Sequence, residues 1–418
     1  MAELIEIKEE QERVILVAAS VSESDDTTES LTELEELADT AGAVTVGRLI
    51  QKREAVQAGT YIGKGKIQEL KELIEETDAT GIICDDELSP AQMRNLEEAL
   101  ETKIMDRTML ILDIFARHAS TSDGKLQVEA AQLKYRLARL VGMRNSMSRV
   151  SYGIGMRGPG EKKLEMDRRF IRDRITRLGE ELKNLEANRR TNRAKRMRSG
   201  TPVVAIVGYT NAGKSTLMNR LTGADLLSAD MLFATLDPTT RSFTLENGQE
   251  VLLTDTVGFI RKLPHHLIEA FHSTLEEACY ADMIIHVVDS SNPACEKHMH
   301  VVYETLRKLG VKDKPVITVF NKQDLSNGTE VLKDLNADEC IPVSAVTGYG
   351  ISELISAIEK ILTDRMMYID TVFDFKDAGL IGQIRKDGTL LEEEYTAEGI
   401  RVKAYVTKEM YGRINKQK

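Results

Sequence analysis

Cysteine is scarce in this chain. Only Cys84, Cys279, Cys295 and Cys340 occur, and no two of them form a C-x-x-C pair. That spacing indicates neither a zinc ribbon nor a disulfide framework, and it fits a reducing compartment. Long apolar runs are missing as well. VVAIV and MIIHVV are strand-length, far short of the ~20 residues a membrane span needs. The first residues, MAELIEIKEEQER, lack the charged-then-apolar order of a signal peptide. The expectation is a soluble cytoplasmic monomer without stable membrane insertion; peripheral membrane association is left open. Overall basic charge is also absent. The net charge is −11 and the pI about 5.4, so the molecule as a whole is not a simple basic nucleic-acid binder. What is present is length and apolar content: 418 residues, 42% apolar, enough for two to four domains with real cores.

Strand-like and helix-like stretches alternate at the start. RVILVAAS (13–20), AVTVGRLI (43–50) and TGIICDD (80–86) read as strands. GTYIGKGKIQELKELIEE (59–76) is a glycine-rich turn entering a helix, and Ser89-Pro90 has the N-cap and first-turn residues of another. A small α/β domain over 1–125 follows. Two long helical patterns come next. In the second, Leu164, Ile171, Ile175, Leu178, Leu182 and Leu185 form a heptad seam. An antiparallel coiled hairpin over 126–199 is the simplest arrangement, with a long tip loop at 142–160. From Thr201 the pattern becomes buried strand, loop and helix, repeated: a doubly wound, mostly parallel α/β domain over 200–365. The remainder, 366–418, reads as a small α+β domain. The fold class is therefore multidomain α/β.

GYTNAGKST satisfies G-x-x-x-x-G-K-[ST] between a strand and a helix, the context that makes this motif meaningful. The loop from Gly208 through Tyr209, Thr210, Asn211, Ala212 and Gly213 would cradle phosphates with backbone N–H groups. Lys214 would contact the β/γ oxygens and Ser215 would ligate Mg²⁺. The run Asp255-Thr256-Val257-Gly258 closes the next apolar strand; its Asp can hold Mg²⁺ through water, and the Gly258 N–H can reach the γ-phosphate. Asn321-Lys322-Gln323-Asp324 closes another. A carboxylate at Asp324 accepts from guanine N1–H and N2–H₂, whereas adenine offers no donors there. Ser344-Ala345-Val346 would supply a backbone N–H to guanine O6. Four motifs in order, each at a strand end, specify GTP and GDP. A Thr that closes over Mg²⁺ is expected among Thr235, Thr239 and Thr240.

LLTDTVGFIRK (252–262) sets a problem. A water-holding Gln often follows the Gly of such a motif. Here the residue is Phe259, which cannot orient water, so slow intrinsic hydrolysis and a partner that completes the site are expected. On this reading Phe259→Ala leaves GTP binding intact. Asn211 raises a related expectation: its amide oxygen could help hold a K⁺ that supplies charge beside the phosphates. The alternative is that Asn211 only caps or hydrogen-bonds within the loop.

Taken together, GYTNAGKST, FATLDPTTR, DTVGFIRKLPHHLIEAFHSTLEEA, NKQD, GTYIGKGK, DDELSPAQMRNLE and GIGMRGPGEKKLEMDRR resemble the HflX family of translation-associated GTPases over nearly the whole chain. The resemblance implies that Thr235, within Phe233-Ala234-Thr235-Leu236-Asp237, is the Mg²⁺-binding switch Thr. With Lys214 and Gly258 it would form the catalytic set, and with Ser215 and Asp255 the metal set. The resemblance also implies binding to the large ribosomal subunit, stimulation of GTP hydrolysis by it, and a part in splitting or rescuing stalled ribosomes. Small departures are Ala138, where a proline is expected, and Lys162-Lys163 in place of a polar pair.

Local charge points to RNA independently. Arg144 to Arg198 carries seventeen Lys/Arg against seven Asp/Glu, a balance of +10 within a chain of −11. Loop 142–160 has Arg144, Arg149 and Arg157, five glycines and no acid; such a loop can approach and stack on rRNA. For the helix 161–190 taken alone, a solvated face of mixed charge is an equal alternative; the loop tips the balance toward a polyanion partner. Weaker signals are read conservatively. GTYIGKGK is a glycine turn rather than a second nucleotide site, Asp85 and Asp86 serve caps or turns, and His265, His266, His272, His298 and His300 lie on helix surfaces. Two other functions remain in play: a stand-alone switch acting on protein effectors, and an ATP-dependent RNA-remodelling enzyme working through the N-terminal domain.

Overall fold

A computed structural model describes residues 11–21, 26–147, 159–199, 201–223, 232–233, 239–262, 277–326, 332–364, 366–396 and 399–416. The chain divides into two compact units, Met1–Leu182 with Lys262–Ala270, and Lys183–Arg261 with Phe271–Lys418.

The first unit is built on a four-stranded parallel sheet of order β2-β1-β3-β4: β1 Arg13–Ser20, β2 Val44–Lys52, β3 Gly81–Cys84 and β4 Lys103–Asp106. From Val14 onward β1 is buried throughout, as is all of β3, which is the pattern of central strands covered on both faces. Helices α1 Thr27–Thr40, α2 Lys64–Thr77, α3 Pro90–Leu100 and α4 Arg107–His118 supply the cover. Ser89 caps α3 in a reciprocal capping box with Gln92. The short strand β4 and helix α4 are absent from the sequence reading; KIMD is too brief for its periodicity to show.

Two long helices follow, α5 Ser122–Met147 and α6 Pro159–Ser199. Arg174 makes a forked pair with Glu129, at 2.8 and 2.9 Å, between them. The expected heptad positions of α6 are its sheltered ones, with Leu178 fully buried. Helix α5 is also tied to the sheet. Asp106, fully buried, accepts hydrogen bonds from Tyr135 at 2.6 Å and Arg139 at 2.5 Å. The α/β domain and most of the hairpin lie in one compact unit. The helices also run further into 142–160 than expected. Arg144 lies in α5 rather than in a loop, while Arg149 and Arg157 fall outside the described residues.

The second unit holds a six-stranded sheet of order β10-β9-β8-β5-β7-β6. Its strands are β5 Val203–Gly208, β6 Thr240–Thr244, β7 Glu250–Asp255, β8 Met283–Asp289, β9 Val316–Asn321 and β10 Glu339–Pro342. All neighbours pair in parallel except β6, an antiparallel edge. Side chains of a strand alternate between faces, and β5 shows it. Val204 and Ile206 join one cluster with Leu217 of α7 (Lys214–Thr222) and Ile358 of α9 (Ile351–Asp364). Ala205 and Val207 join the opposite one with Val302 and Leu306 of α8 (Cys295–Lys308). A smaller antiparallel sheet, β11-β13-β12, follows: β11 Met367–Phe373, β12 Thr389–Thr396 and β13 Gly399–Val406. Helices α10 Ala378–Asp387 and α11 Lys408–Lys416 cover one of its faces. Among the described residues no helix is long and apolar enough to cross a membrane.

Candidate nucleotide site

The carboxyl ends of the parallel strands are where a doubly wound sheet places its ligands. Here β5 ends at Gly208, β7 at Asp255, β8 at Asp289 and β9 at Asn321, so the sequence motifs converge on one edge.

The loop after β5 is shaped by close backbone contact. A Cβ on Gly208 would stand 2.3 Å from the Val287 carbonyl. Asn211 and Gly213 adopt positive φ, 57° and 87°. Lys214 opens α7 and is almost fully buried; its ammonium donates to the Tyr209 carbonyl at 2.7 Å. Burial pushes its pKa down to about 8, against the opposing pull of Asp255. Ser215 Oγ donates to Asp255 Oδ2 at 2.8 Å. A hydroxyl and a carboxylate thus meet beside the phosphate loop, a hard-oxygen pair of the kind Mg²⁺ takes. Gly258 leaves the cradle open: a Cβ there would lie 2.8 Å from the Thr210 methyl and 2.9 Å from Lys214 Nζ. The preceding Thr256 is fully buried and donates to the Ile206 carbonyl at 2.8 Å, and Val257 is buried beside it.

The guanine end is held by side chains. Asn321, buried, donates from Nδ2 to the Ala212 carbonyl at 2.9 Å and accepts at Oδ1 from the Ala345 N–H at 3.0 Å. One amide thus clasps the phosphate loop to the Ser344 loop. Asp324 is exposed, and its Oδ1 accepts from Ser344 Oγ at 2.5 Å. Lys322, at φ 61°, pairs with Asp289 at 2.7 Å, and Gln323 donates to Ser290 Oγ at 3.0 Å. Val346 is exposed at the rim. Asp289 and Ser290, which escaped the sequence reading, support this run from behind: Asp289 pairs with Lys322, and Ser290 Oγ accepts from Gln323 and donates to the Asn321 carbonyl at 2.6 Å. Gly213→Ala tests the clasp. Its Cβ would fall 2.3 Å from Asn321 Nδ2, on top of roughly 1–2 kcal/mol for left-handed backbone. GDP affinity should fall at least ~tenfold by calorimetric titration, with the circular dichroism unchanged; affinity within twofold of the parent would remove the clasp.

Phe259 is resolved differently from the sequence expectation. Its side chain is 1% exposed and packs with Ala205, Val207, Tyr209, Ile284 and Val302 on the α8 side of the sheet. Its backbone pairs with the phosphate loop: Phe259 N–H donates to Gly208 O at 3.1 Å, and Thr210 N–H to Phe259 O at 2.8 Å. It is a core residue beneath the loop, so Phe259→Ala is not the silent change for GTP binding that the sequence suggested. Tyr209 stacks on His298, ring centroids 3.8 Å apart, and its hydroxyl accepts from the Arg261 N–H at 2.9 Å. His298 is thus packed against the loop rather than free on a helix surface.

The remaining expectations divide. Thr240 is the first residue of β6, its hydroxyl 3.1 Å from that of Thr254, and so is a strand residue rather than the switch Thr. Phe233 is buried at φ 56°. Ala234, Thr235, Leu236 and Asp237 lie outside the described residues, as do His265, His266 and His272. In the first unit, Tyr61 at φ 65° and the start of α2 at Lys64 make GTYIGKGK a turn into a helix. Asp85 departs from its expected capping role: it is 1% exposed and bound by Arg107 at 2.8 Å. No group of three or more His, Cys, Asp or Glu side chains placed to hold a metal ion occurs among the described residues.

The sequence matches known proteins over nearly its whole length. Three family descriptions match in succession: "GTP-binding GTPase N-terminal" over 28–116, "GTP-binding GTPase Middle Region" over 118–196 and "50S ribosome-binding GTPase" over 203–322. A GTPase HflX from Lacrimispora saccharolytica is 60% identical over 414 residues, covering 99% of this chain and 98% of its own. One from Escherichia coli is 41% identical over 355 residues, covering 84% and 83%. Among solved structures, a GTP-binding protein from Sulfolobus solfataricus in complex with GDP is 26% identical, covers 84% of this chain and 99% of its own, and superposes with a TM-score of 0.45.

Proposed function

This chain belongs to the HflX family of GTPases, and on that premise we propose that it binds the large ribosomal subunit and hydrolyses GTP in response, in ribosome splitting, rescue or recycling in the cytoplasm under stress. It is a GTPase, converting GTP and water to GDP and phosphate. The observation that carries the proposal is Phe259. With that side chain turned into the core, the residue after Asp255–Gly258 contributes nothing to water positioning, so the group that completes the site comes from elsewhere. The chain's own residues bind and orient: Lys214 the β/γ oxygens, the Gly258 N–H the γ-phosphate, Asp324 the guanine edge. Ser215, Asp255 and Thr235 would hold Mg²⁺, which supplies positive charge against the phosphates. The excess positive charge between Arg144 and Arg198 favours rRNA as the surface met.

GTPase rates with and without purified large subunits test this. Subunits should raise kcat at least about tenfold, within the range of partner-completed GTPases; equal rates would defeat the reading. Salt-sensitive co-sedimentation separates it from a stand-alone switch acting on proteins, which would not pellet with ribosomes.

Asn211 supports a K⁺ contribution. It lies exposed in the phosphate loop at φ 57°, where its amide oxygen is a suitable hard ligand. Single-turnover hydrolysis with ribosomes should be clearly faster in potassium than in sodium or caesium chloride at equal ionic strength, and Asn211→Ser should abolish the difference while retaining nucleotide. Equal rates in potassium and sodium leave the ribosome as the sole activator.

A further inference from the structure

Within the second unit, the chain that leaves Gly258 hangs from the phosphate loop by hydrogen bonds of two kinds. Phe259 N–H donates to Gly208 O at 3.1 Å, and Thr210 N–H donates to Phe259 O at 2.8 Å. These join backbone to backbone. Arg261 N–H donates to the Tyr209 hydroxyl at 2.9 Å. This bond runs to a side chain, so it depends on where the Tyr209 ring stands. The ring reaches that place through two rotatable bonds, and a small swing would carry the hydroxyl out of bonding range.

His298, in the first turn of α8, fixes the ring. Its imidazole lies on the phenol with 3.8 Å between centroids and 5° between planes. Tyr209 is also 6% exposed and shares an apolar cluster with Phe259, Ile284 and Val302. Those neighbours keep water out, whereas a parallel ring in contact favours one orientation of the phenol plane. The backbone of Tyr209 is held separately, because its carbonyl accepts from the Lys214 ammonium at 2.7 Å. One residue therefore meets the phosphate-binding lysine through its main chain and the Arg261 main chain through its side chain.

Gly258 lies between these fixed points with little room. A Cβ on it would stand 2.8 Å from the Thr210 methyl and 2.9 Å from Lys214 Nζ. Strand β7, ending at Asp255, holds the chain before it, and the Phe259–Arg261 stretch holds the chain after it. Its N–H would meet the γ-phosphate, where charge develops during transfer and a fixed donor has its largest effect. A misplacement of about 1 Å at such a point can cost on the order of a hundredfold in rate.

We propose that His298 and Tyr209 are positioning residues for GTP hydrolysis: the imidazole holds the phenol ring, the phenol hydroxyl holds the Arg261 N–H, and the stretch so held sets where the Gly258 N–H stands. Both act through the backbone, and neither is a catalytic group. The inference rests on GTP hydrolysis and on the Gly258 role, and not on the ribosome, because its test uses the isolated full-length chain and nucleotides alone.

The test places protein in excess over GTP, so the single-turnover rate reports on bound nucleotide. Tyr209→Phe keeps the stack and removes the hydroxyl. His298→Ala keeps the hydroxyl and removes the stack, and His298→Phe restores a flat ring. Tyr209→Phe and His298→Ala should each slow hydrolysis at least ~fivefold, the effect of one net hydrogen bond, and leave GDP affinity by titration within about twofold. His298→Phe should hydrolyse within about twofold of the parent, and the double variant should be little slower than either single one. Residue-resolved amide exchange reads the bond itself. The Arg261 N–H should lose protection in Tyr209→Phe and His298→Ala and keep it in His298→Phe, while the Phe259 N–H, bonded to Gly208, stays protected in all three. A rate unchanged in both variants, a GDP affinity that falls as far as the rate, losses that add in the double variant, or an Arg261 N–H that exchanges as in the parent would each overturn the positioning role and leave a packing contact.

Discussion

Asp324→Asn should lower GTP affinity by at least ~30-fold and convert the base preference toward xanthosine triphosphate. The carboxylate of Asp324 stands at the end of the Asn321–Asp324 run, oriented by the Ser344 hydroxyl at 2.5 Å, which itself accepts from the Thr347 N–H at 3.2 Å. A guanine edge presents two donors to it, and hydrogen bonds to a charged acceptor contribute about 1.5–3 kcal/mol each. In the variant one oxygen becomes an amide NH₂ facing a donor, so one bond is lost and a second donor is left unsatisfied. Xanthine carries a carbonyl at that position, which the NH₂ can meet while the remaining oxygen accepts N1–H. Competition of GTP and xanthosine triphosphate against a fluorescent GDP decides it. Unchanged preference would remove Asp324 from the guanine pocket. Retained binding of GDP by a variant at Asn321 would separately weaken the clasp, since Asn321 holds both the Ala212 carbonyl and the Ala345 N–H.

The other large effect is at Phe259. Phe259→Ala should destabilise the nucleotide-binding unit by about 3–5 kcal/mol, the usual loss for a buried phenylalanine, and lower its melting temperature by at least about 6 °C. The ring is 1% exposed among small and branched neighbours, so its removal leaves a cavity that Ala205 and Ala278 cannot fill. GTP affinity should fall with it, because the backbone of Phe259 carries the phosphate loop through its bonds to Gly208 and Thr210. Phe259→Leu should keep most of the stability. A loss below ~1 kcal/mol in urea unfolding would mean the side chain is not the core element described here.

Much of the nucleotide site was legible because its chemistry is local in sequence. A phosphate loop works through consecutive backbone N–H groups, so GYTNAGKST announces itself. Asp255–Gly258, Asn321–Asp324 and Ser344–Ala345 each occupy a single turn at a strand end, and the long apolar strands that carry them are read from composition. The paired helices were legible for the same reason, since the seam from Leu164 to Leu185 is a spacing. Less visible were short elements such as β4, whose four residues give no period to count.

What the sequence determined by itself, then, was the nucleotide, the order of motifs and the class of sheet that brings them together. The tertiary structure alone decided direction and partnership. Whether Phe259 faced the phosphates or the core depended on which face of the sheet its neighbours had already filled. Whether Asp85 capped a turn or anchored a charge network depended on Arg107 and on Lys262, 177 residues away. Those outcomes rest on contacts between segments remote in the chain, each selected by the burial of charge and volume in a shared space, and such contacts leave no local spacing for a sequence to display.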